Sequence, residues 1–282
     1  MTTMFKGIVG GDEYSTESLV RGLTIHGPAE AYYVTHCSEQ LSSRLQVKCG
    51  VRSMKNISDL VPRCAVLFLT FRPEEANVLL PKIAASIKEW TLIVSAVYGL
   101  KLPTLEYFFP NNEIVRLVYN PSIASGAGLS AYAVSKNAST DAKSMAEIVL
   151  KECGDVIAVN SEEELETVAD FIIASTYFSY IVTKSMVKNA KKLGMVPKEA
   201  NSAVEKILSG SIKTLLKSDN EVTSLISRGF ADKFAHDTAI ELIKNQGLNE
   251  DLTKALQDDE PEEKMNPNDD PKNYKMHYSW SR

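Results

Sequence analysis

From Phe5 to about Asn160, short apolar runs alternate with amphipathic stretches, and no other feature of this sequence narrows its fold as far. The rhythm opens with Phe5 to Val9 and a helical pattern over Thr16 to Leu23, then continues through Ala31 to Val34, a polar helix over Glu39 to Leu45, and Ala65 to Thr70. A helix opens at Pro73-Glu74-Glu75, where Pro73 suits the first helical position and the two carboxylates complement the dipole. Leu92 to Ala96 follows, and strands at Ile114 to Tyr119, Leu129 to Val134 and Val156 to Val159 extend the set. Strands and helices in alternation predict βα units. The continuous apolar runs after Arg63 and Trp90 read as central strands buried on both faces, as a parallel sheet covered by helices demands. Residues 1 to 162 are therefore expected to form an α/β domain with an open, mostly parallel sheet of the Rossmann, dinucleotide-binding type.

After Asn160 the period changes. Leu165, Val168, Ala169, Ile172 and Ile173, then Ile181, Val182 and Met186, fall at helical spacing with no strong breaker before Gly194. Pro197 opens another helix over Ala200 to Leu216, and Phe230 to Gln246 and Asn249 to Leu256 read as two more. Residues 163 to 257 are expected to be an all-helical domain. A helix as apolar as Phe171 to Met186 needs burial on more than one side, which predicts dimerisation through it. Residues 258 to 282, rich in Asp, Glu, Asn and Pro, read as a disordered acidic tail with an aromatic end at Tyr274, Tyr278 and Trp280.

At 282 residues the chain is about twice the usual length of one domain, consistent with that division. Its formal charge of −5 lacks the footprint that nucleic acid or anionic lipid requires, so neither is expected as a partner. Phe171 to Val182, about a dozen residues with several hydroxyls, reads as too short and too polar to span a bilayer. Cys37, Cys49, Cys64 and Cys153 form no C-x-x-C pair and the start has no secretory pattern, which predicts reduced thiols in a cytoplasmic protein. His26, His36, His236 and His277 lie far apart, so no metal site is expected.

The first βα turn, Gly10-Gly11-Asp12-Glu13-Tyr14-Ser15, lies where a dinucleotide pyrophosphate would meet the first helix. Neither register of G-x-G-x-x-G/A is satisfied, because an acidic residue takes the place of the second glycine. Two readings follow: the turn still receives phosphate, or Asp12 or Glu13 caps the helix and fills the anion site itself.

The remaining motifs resemble pyrroline-5-carboxylate reductase over roughly residues 5 to 256. Tyr33-Val-Thr-His-Cys-Ser-Glu39 resembles the end of that family's second strand, and Phe68-Leu-Thr-Phe-Arg-Pro73 its strand ending Val-Lys-Pro. Ser95-Ala-Val-Tyr-Gly-Leu100 resembles Ser-Ile-Ala-Ala-Gly-Ile, and Arg116 to Gly128 resembles Arg-Val-Met-Pro-Asn-Thr-Pro-Ala with its glycine turn. The resemblance implies cofactor contacts from Gly10, Gly11, Ser15, His36, Ser38, Asn56, Thr70, Phe71, Arg72, Pro73, Ala96 and Asn120. Departures fall on chemistry. Cys37 replaces an arginine common in NADP-preferring members, Ala174 to Tyr180 lacks the family's glycines and proline, and Thr223 to Gly229 lacks its substrate-loop nest. Ser175, Tyr177 and Arg228 are the candidates to meet substrate in their place, Arg228 by a bidentate fork on a carboxylate.

The resemblance implies an oxidoreductase using NADPH or NADH to reduce the C=N bond of a small imino-acid substrate, as a homodimer or an oligomer of dimers. Two alternatives stay open: a homodimeric paralogue that has lost turnover and binds or regulates, and a reductase of another imine or keto acid.

Overall fold

The computed structural model describes residues 5–217. Their strands and helices alternate as β1 (Phe5–Val9), α1 (Glu13–Leu23), β2 (Tyr32–Thr35), α2 (Glu39–Cys49), β3 (Arg52–Ser53), α3 (Ile57–Leu60) and β4 (Cys64–Leu69). There follow α4 (Ala76–Ala84), β5 (Leu92–Ser95), α5 (Leu102–Phe108), β6 (Ile114–Tyr119), β7 (Gly128–Val134), α6 (Thr140–Lys151) and β8 (Gly154–Ala158). Two long helices, α7 (Glu162–Lys192) and α8 (Pro197–Lys217), complete the described chain.

The eight strands form one sheet in the order β3-β2-β1-β4-β5-β6-β7-β8. Every neighbouring pair is parallel except β6 and β7, which run antiparallel. The expected open α/β sheet is present, and the order reverses direction at β1 and β4, the switch point beside which such sheets bind ligands.

Apolar runs become central strands because both faces are covered. In β4, Leu67 and Leu69 join the core beneath α3, α4, α5 and the start of α7, while Val66 and Phe68 join the core beneath α1, α2 and α6. Leu79, Leu80 and Ile83 of α4 fill the first core; Leu19, Val20 and Leu23 of α1 fill the second.

Three short elements, α5, β3 and α3, escape the sequence pattern, as does the twelve-residue α6, whose periodicity was there to be read. Ser139 starts α6 by accepting Ala142 N–H at 3.1 Å, a standard hydroxyl cap.

Arg116, on β6, is buried and pairs with Glu162 Oε1 at 2.7 Å and with Glu166. Glu162 Oε1 also accepts Leu102 N–H at 2.7 Å, so a single arginine draws the first turns of α5 and α7 onto the sheet.

The described residues fall into two compact units that part between Ile173 and Ala174. In the second unit α7 and α8 are long, as their periodicity predicts, and the further predicted helices and the tail lie outside the described residues. The count of about a dozen apolar residues in α7 understates the helix. Among the described residues, α7 is the one helix long and apolar enough to cross a membrane by length and composition.

Candidate functional site

The turn from β1 into α1 is anchored to both neighbouring strands. Gly10 N–H donates to Thr35 O at 3.0 Å, and Asp12 N–H donates to Thr70 O at 3.2 Å. Close approach requires both glycines: a Cβ on Gly10 would lie 2.5 Å from Cys37 Sγ, and one on Gly11 would lie 2.6 Å from Glu75 Oε2 and 3.0 Å from Phe71 Cα.

The two acidic residues of this turn behave differently. Asp12 caps α1, its Oδ1 accepting Ser15 N–H at 2.6 Å. Glu13 leaves the turn and accepts the Ser38 hydroxyl at 2.7 Å, with Arg44 Nη2 3.5 Å away. That hydroxyl, with help from Arg44 and Arg72, holds the Glu13 carboxyl below its ordinary range. Behind the turn, the buried Thr16 and Thr70 hydroxyls meet at 2.9 Å. Tyr119 Oη donates to Ser15 O at 2.9 Å, and burial, followed by the charge of Asp12, pushes its phenol upward.

A cleft of about 770 Å³ opens at the carboxyl ends of β1, β2 and β4, walled by Gly11, His36, Ser38, Lys55, Arg72 and Glu75 among others. His36 adopts φ 56°, a left-handed conformation uncommon for a residue with a Cβ. Its Nε2 donates to Glu75 Oε1 at 2.8 Å, and Glu75 Oε2 accepts Arg72 N–H at 3.0 Å. Thr35 Oγ1 and Ser95 Oγ, at the carboxyl ends of β2 and β5, are buried without a hydrogen-bond partner among the described residues.

Of the residues singled out from sequence, Gly10, Gly11, Ser15, His36, Ser38, Thr70, Phe71, Arg72 and Pro73 gather around this edge, with Phe71 buried and Pro73 opening the turn into α4. Ala96 follows β5, its N–H donating to Leu69 O at 2.9 Å. Asn56 and Asn120 spend their side chains locally: Asn56 Nδ2 donates to Asp59 at 2.8 Å, and Asn120 Oδ1 accepts Leu129 N–H at 3.0 Å. Ser175 and Tyr177 lie on α7 in the second unit, where Ser175 O accepts the Ser179 hydroxyl at 2.8 Å and Tyr177 is exposed. Arg228 lies outside the described residues. Glu75 is the residue that sequence reasoning misses. It stands 39 positions from His36, and only the meeting of two strand ends brings them together.

No family model matches the chain. Curated relatives do: pyrroline-5-carboxylate reductase 2 of Bacillus subtilis (strain 168) is 23% identical over 223 residues, 78% of this chain and 79% of that protein. Pyrroline-5-carboxylate reductase 2 of Rattus norvegicus is 22% identical over 262 residues, 90% of this chain and 81% of its own. The chain is a divergent relative of the pyrroline-5-carboxylate reductases. The fold agrees. The Plasmodium falciparum pyrroline carboxylate reductase with NADP bound superposes with a TM-score of 0.77 at 18% identity, covering 91% of this chain and 95% of that one. The Coxiella burnetii pyrroline-5-carboxylate reductase gives 0.69 at 21% identity, covering 90% and 95%.

Among the departures from the reductase pattern, Asp12 is used by this fold as a helix cap, and Phe71-Arg72-Pro73 still forms the turn from β4 into α4.

Proposed function

We propose that this protein is a cytoplasmic NAD(P)H-dependent oxidoreductase of the pyrroline-5-carboxylate reductase type, reducing the C=N bond of a small cyclic imino acid. The observation that carries the reading is the polar cleft at the sheet's switch point, bordered by His36, Ser38 and Arg72. Such a cleft suits the adenosine end of a dinucleotide. The relatives' names supply the substrate class, and NADP is bound in one structural neighbour.

When bound, the nicotinamide cofactor supplies the hydride, and the protein supplies binding and orientation. Gly11 lets the turn pack closely against Phe71 and Glu75, and the Gly11 and Glu13 amides, at the start of α1, are the proposed donors for phosphate. Arg72 and Lys55 add positive charge at the cleft wall. Ser175, Tyr177 and Arg228 are the proposed substrate residues, Arg228 as a clamp on the carboxylate.

The exposed apolar side chains of α7, among them Phe171, Ile173 and Phe178, fit a second copy of the chain, and a homodimer is part of the proposal. The four described cysteines are all free, which fits a reducing compartment; burial pushes Cys37 up to about 11 and Cys64 and Cys153 to about 12, so these are inert thiols.

A second reading, a paralogue that has lost turnover, is favoured by one observation: Asp12 already occupies an amide at the start of α1. Titration of the full chain with NADH and NADPH, followed by an assay with pyrroline-5-carboxylate, separates the two. Micromolar binding with turnover supports the reductase, binding without turnover supports the paralogue, and no binding of either cofactor defeats the first reading.

A further inference from the structure

Sheets of this type tell NADH from NADPH at the end of the second strand, where a carboxylate accepts from the ribose 2′-hydroxyl or an arginine takes the 2′-phosphate. This chain has neither there: β2 ends at Thr35 and continues as His36-Cys37-Ser38. The carboxylate that does stand at that position comes from another loop. Glu75 reaches it from the turn after β4, with Oε1 accepting from His36 Nε2 at 2.8 Å and Oε2 accepting from Arg72 N–H at 3.0 Å. It presses against the first βα turn closely enough that a Cβ on Gly11 would lie 2.6 Å from Oε2.

The geometry points to Glu75 as the residue that selects the unphosphorylated ribose, making this protein prefer NADH to NADPH, an inference that rests on the cofactor reading above. A carboxylate offers about four lone-pair sites, so Glu75 retains capacity for a ribose diol while keeping both present bonds. A 2′-phosphate meets the opposite situation. Two neutral donors at the end of β2 are already held by carboxylates, His36 Nε2 by Glu75 and the Ser38 hydroxyl by Glu13 at 2.7 Å. The Ser38 oxygen also accepts Leu41 N–H at 3.1 Å, which fixes its direction. Lys55 and Arg72 line the cleft and pull toward phosphate, while Glu39 lines it and opposes them. A phosphate seated on His36 and Ser38 has to break two carboxylate bonds before it forms its own, which disfavours it against a ribose diol.

The test is a pair of titrations on the full chain, following nicotinamide fluorescence with NADH and with NADPH, for the parent and for Glu75→Gln. The glutamine keeps an oxygen for Arg72 N–H, and a thermal melt checks its fold. The parent is expected to bind NADH at least about tenfold more tightly than NADPH, and Glu75→Gln to narrow that ratio to about threefold or less, mainly by weakening NADH. NADPH bound as tightly as NADH by the parent overturns the inference, as does an unchanged ratio in a folded Glu75→Gln. Where the variant does not fold, competition on the parent between AMP and 2′-phosphorylated AMP decides: displacement of NADH mainly by AMP supports the inference, and mainly by the phosphorylated form overturns it. Failure of the parent to bind either cofactor removes the reductase reading and this inference together, whereas a preference for NADPH removes only this one.

Discussion

The Ser38 hydroxyl donates to Glu13 Oε1 at 2.7 Å, joining the first turn of α1 to the cap of α2. The side chain that sequence puts in the path of a pyrophosphate is thereby held aside. Glu13→Gln is expected to change NADH affinity by less than about threefold in a cofactor titration. A gain of ten times or more would identify Glu13 as an obstacle after all.

Asp12 is the opposite case, since its carboxylate sits on the Ser15 amide at the start of α1. Asp12→Ser keeps a capping oxygen and removes the charge. Repulsion of about 1 to 4 kcal/mol between charges near 4 Å corresponds to roughly one to three decades, so the serine variant should bind cofactor at least about tenfold more tightly. Asp12→Ala loses the cap as well and should cost about 1 kcal/mol in denaturant unfolding.

Arg116 is only 4% exposed as a side chain, while its partners Glu162 and Glu166 are 20% and 39% exposed. Removing one member of a buried pair costs about 3 to 5 kcal/mol, and the partial exposure of the glutamates lowers the expectation for Arg116→Ala to about 3 kcal/mol. Chemical denaturation measures it. A loss below about 1 kcal/mol would show that solvent takes over the arginine's role.

Tyr132 Oη donates to Glu147 at 2.7 Å, and this bond, followed by Lys151, holds the Glu147 carboxyl below its ordinary value of 4.5. A depressed carboxyl contributes stability that is fully present above its unfolded value and is lost as pH falls through the folded one. The difference in melting temperature between the parent and Tyr132→Phe should therefore hold steady from about pH 7 to 5 and close below about pH 4. A gap that persists at pH 2 would assign the effect to packing instead.

Phe171 and Phe178 are 66% and 51% exposed and lie seven residues apart on α7, hence on one helical face. At about 25 cal/mol per Å², a standard interface of about 1,600 Å² supplies ample gross energy for a dimer. The parent is expected to sediment as a dimer at micromolar concentration, and Phe171→Asp with Phe178→Asp as a monomer. A monomeric parent would remove the dimer from the proposal.

The strands were legible because a sheet covered on both faces leaves continuous apolar runs, and Ile114–Tyr119 falls where the residues predict it. Short elements were not legible: α5 begins at Leu102-Pro103 and spans seven residues, too few for periodicity to register. The antiparallel turn of β7 leaves no local trace, since direction is set by pairing with β6. At the cleft, sequence points to the strand ends, including His36 and Ser38, because βα turns have fixed places relative to the strands. It is silent on Glu75, whose contact with His36 is made only when β1, β2 and β4 assemble side by side.

That assembly has a consequence for how the chain is made. β1 is flanked by β2 on one side and by β4 on the other. On the ribosome, residues up to Arg63 emerge with β1 able to pair along one edge only, although Ile8 and Val9 are fully buried in the finished fold. The first strand made thus keeps one edge open to other chains until Cys64–Leu69 has cleared the exit tunnel and paired with it, after which the open edge passes to β4.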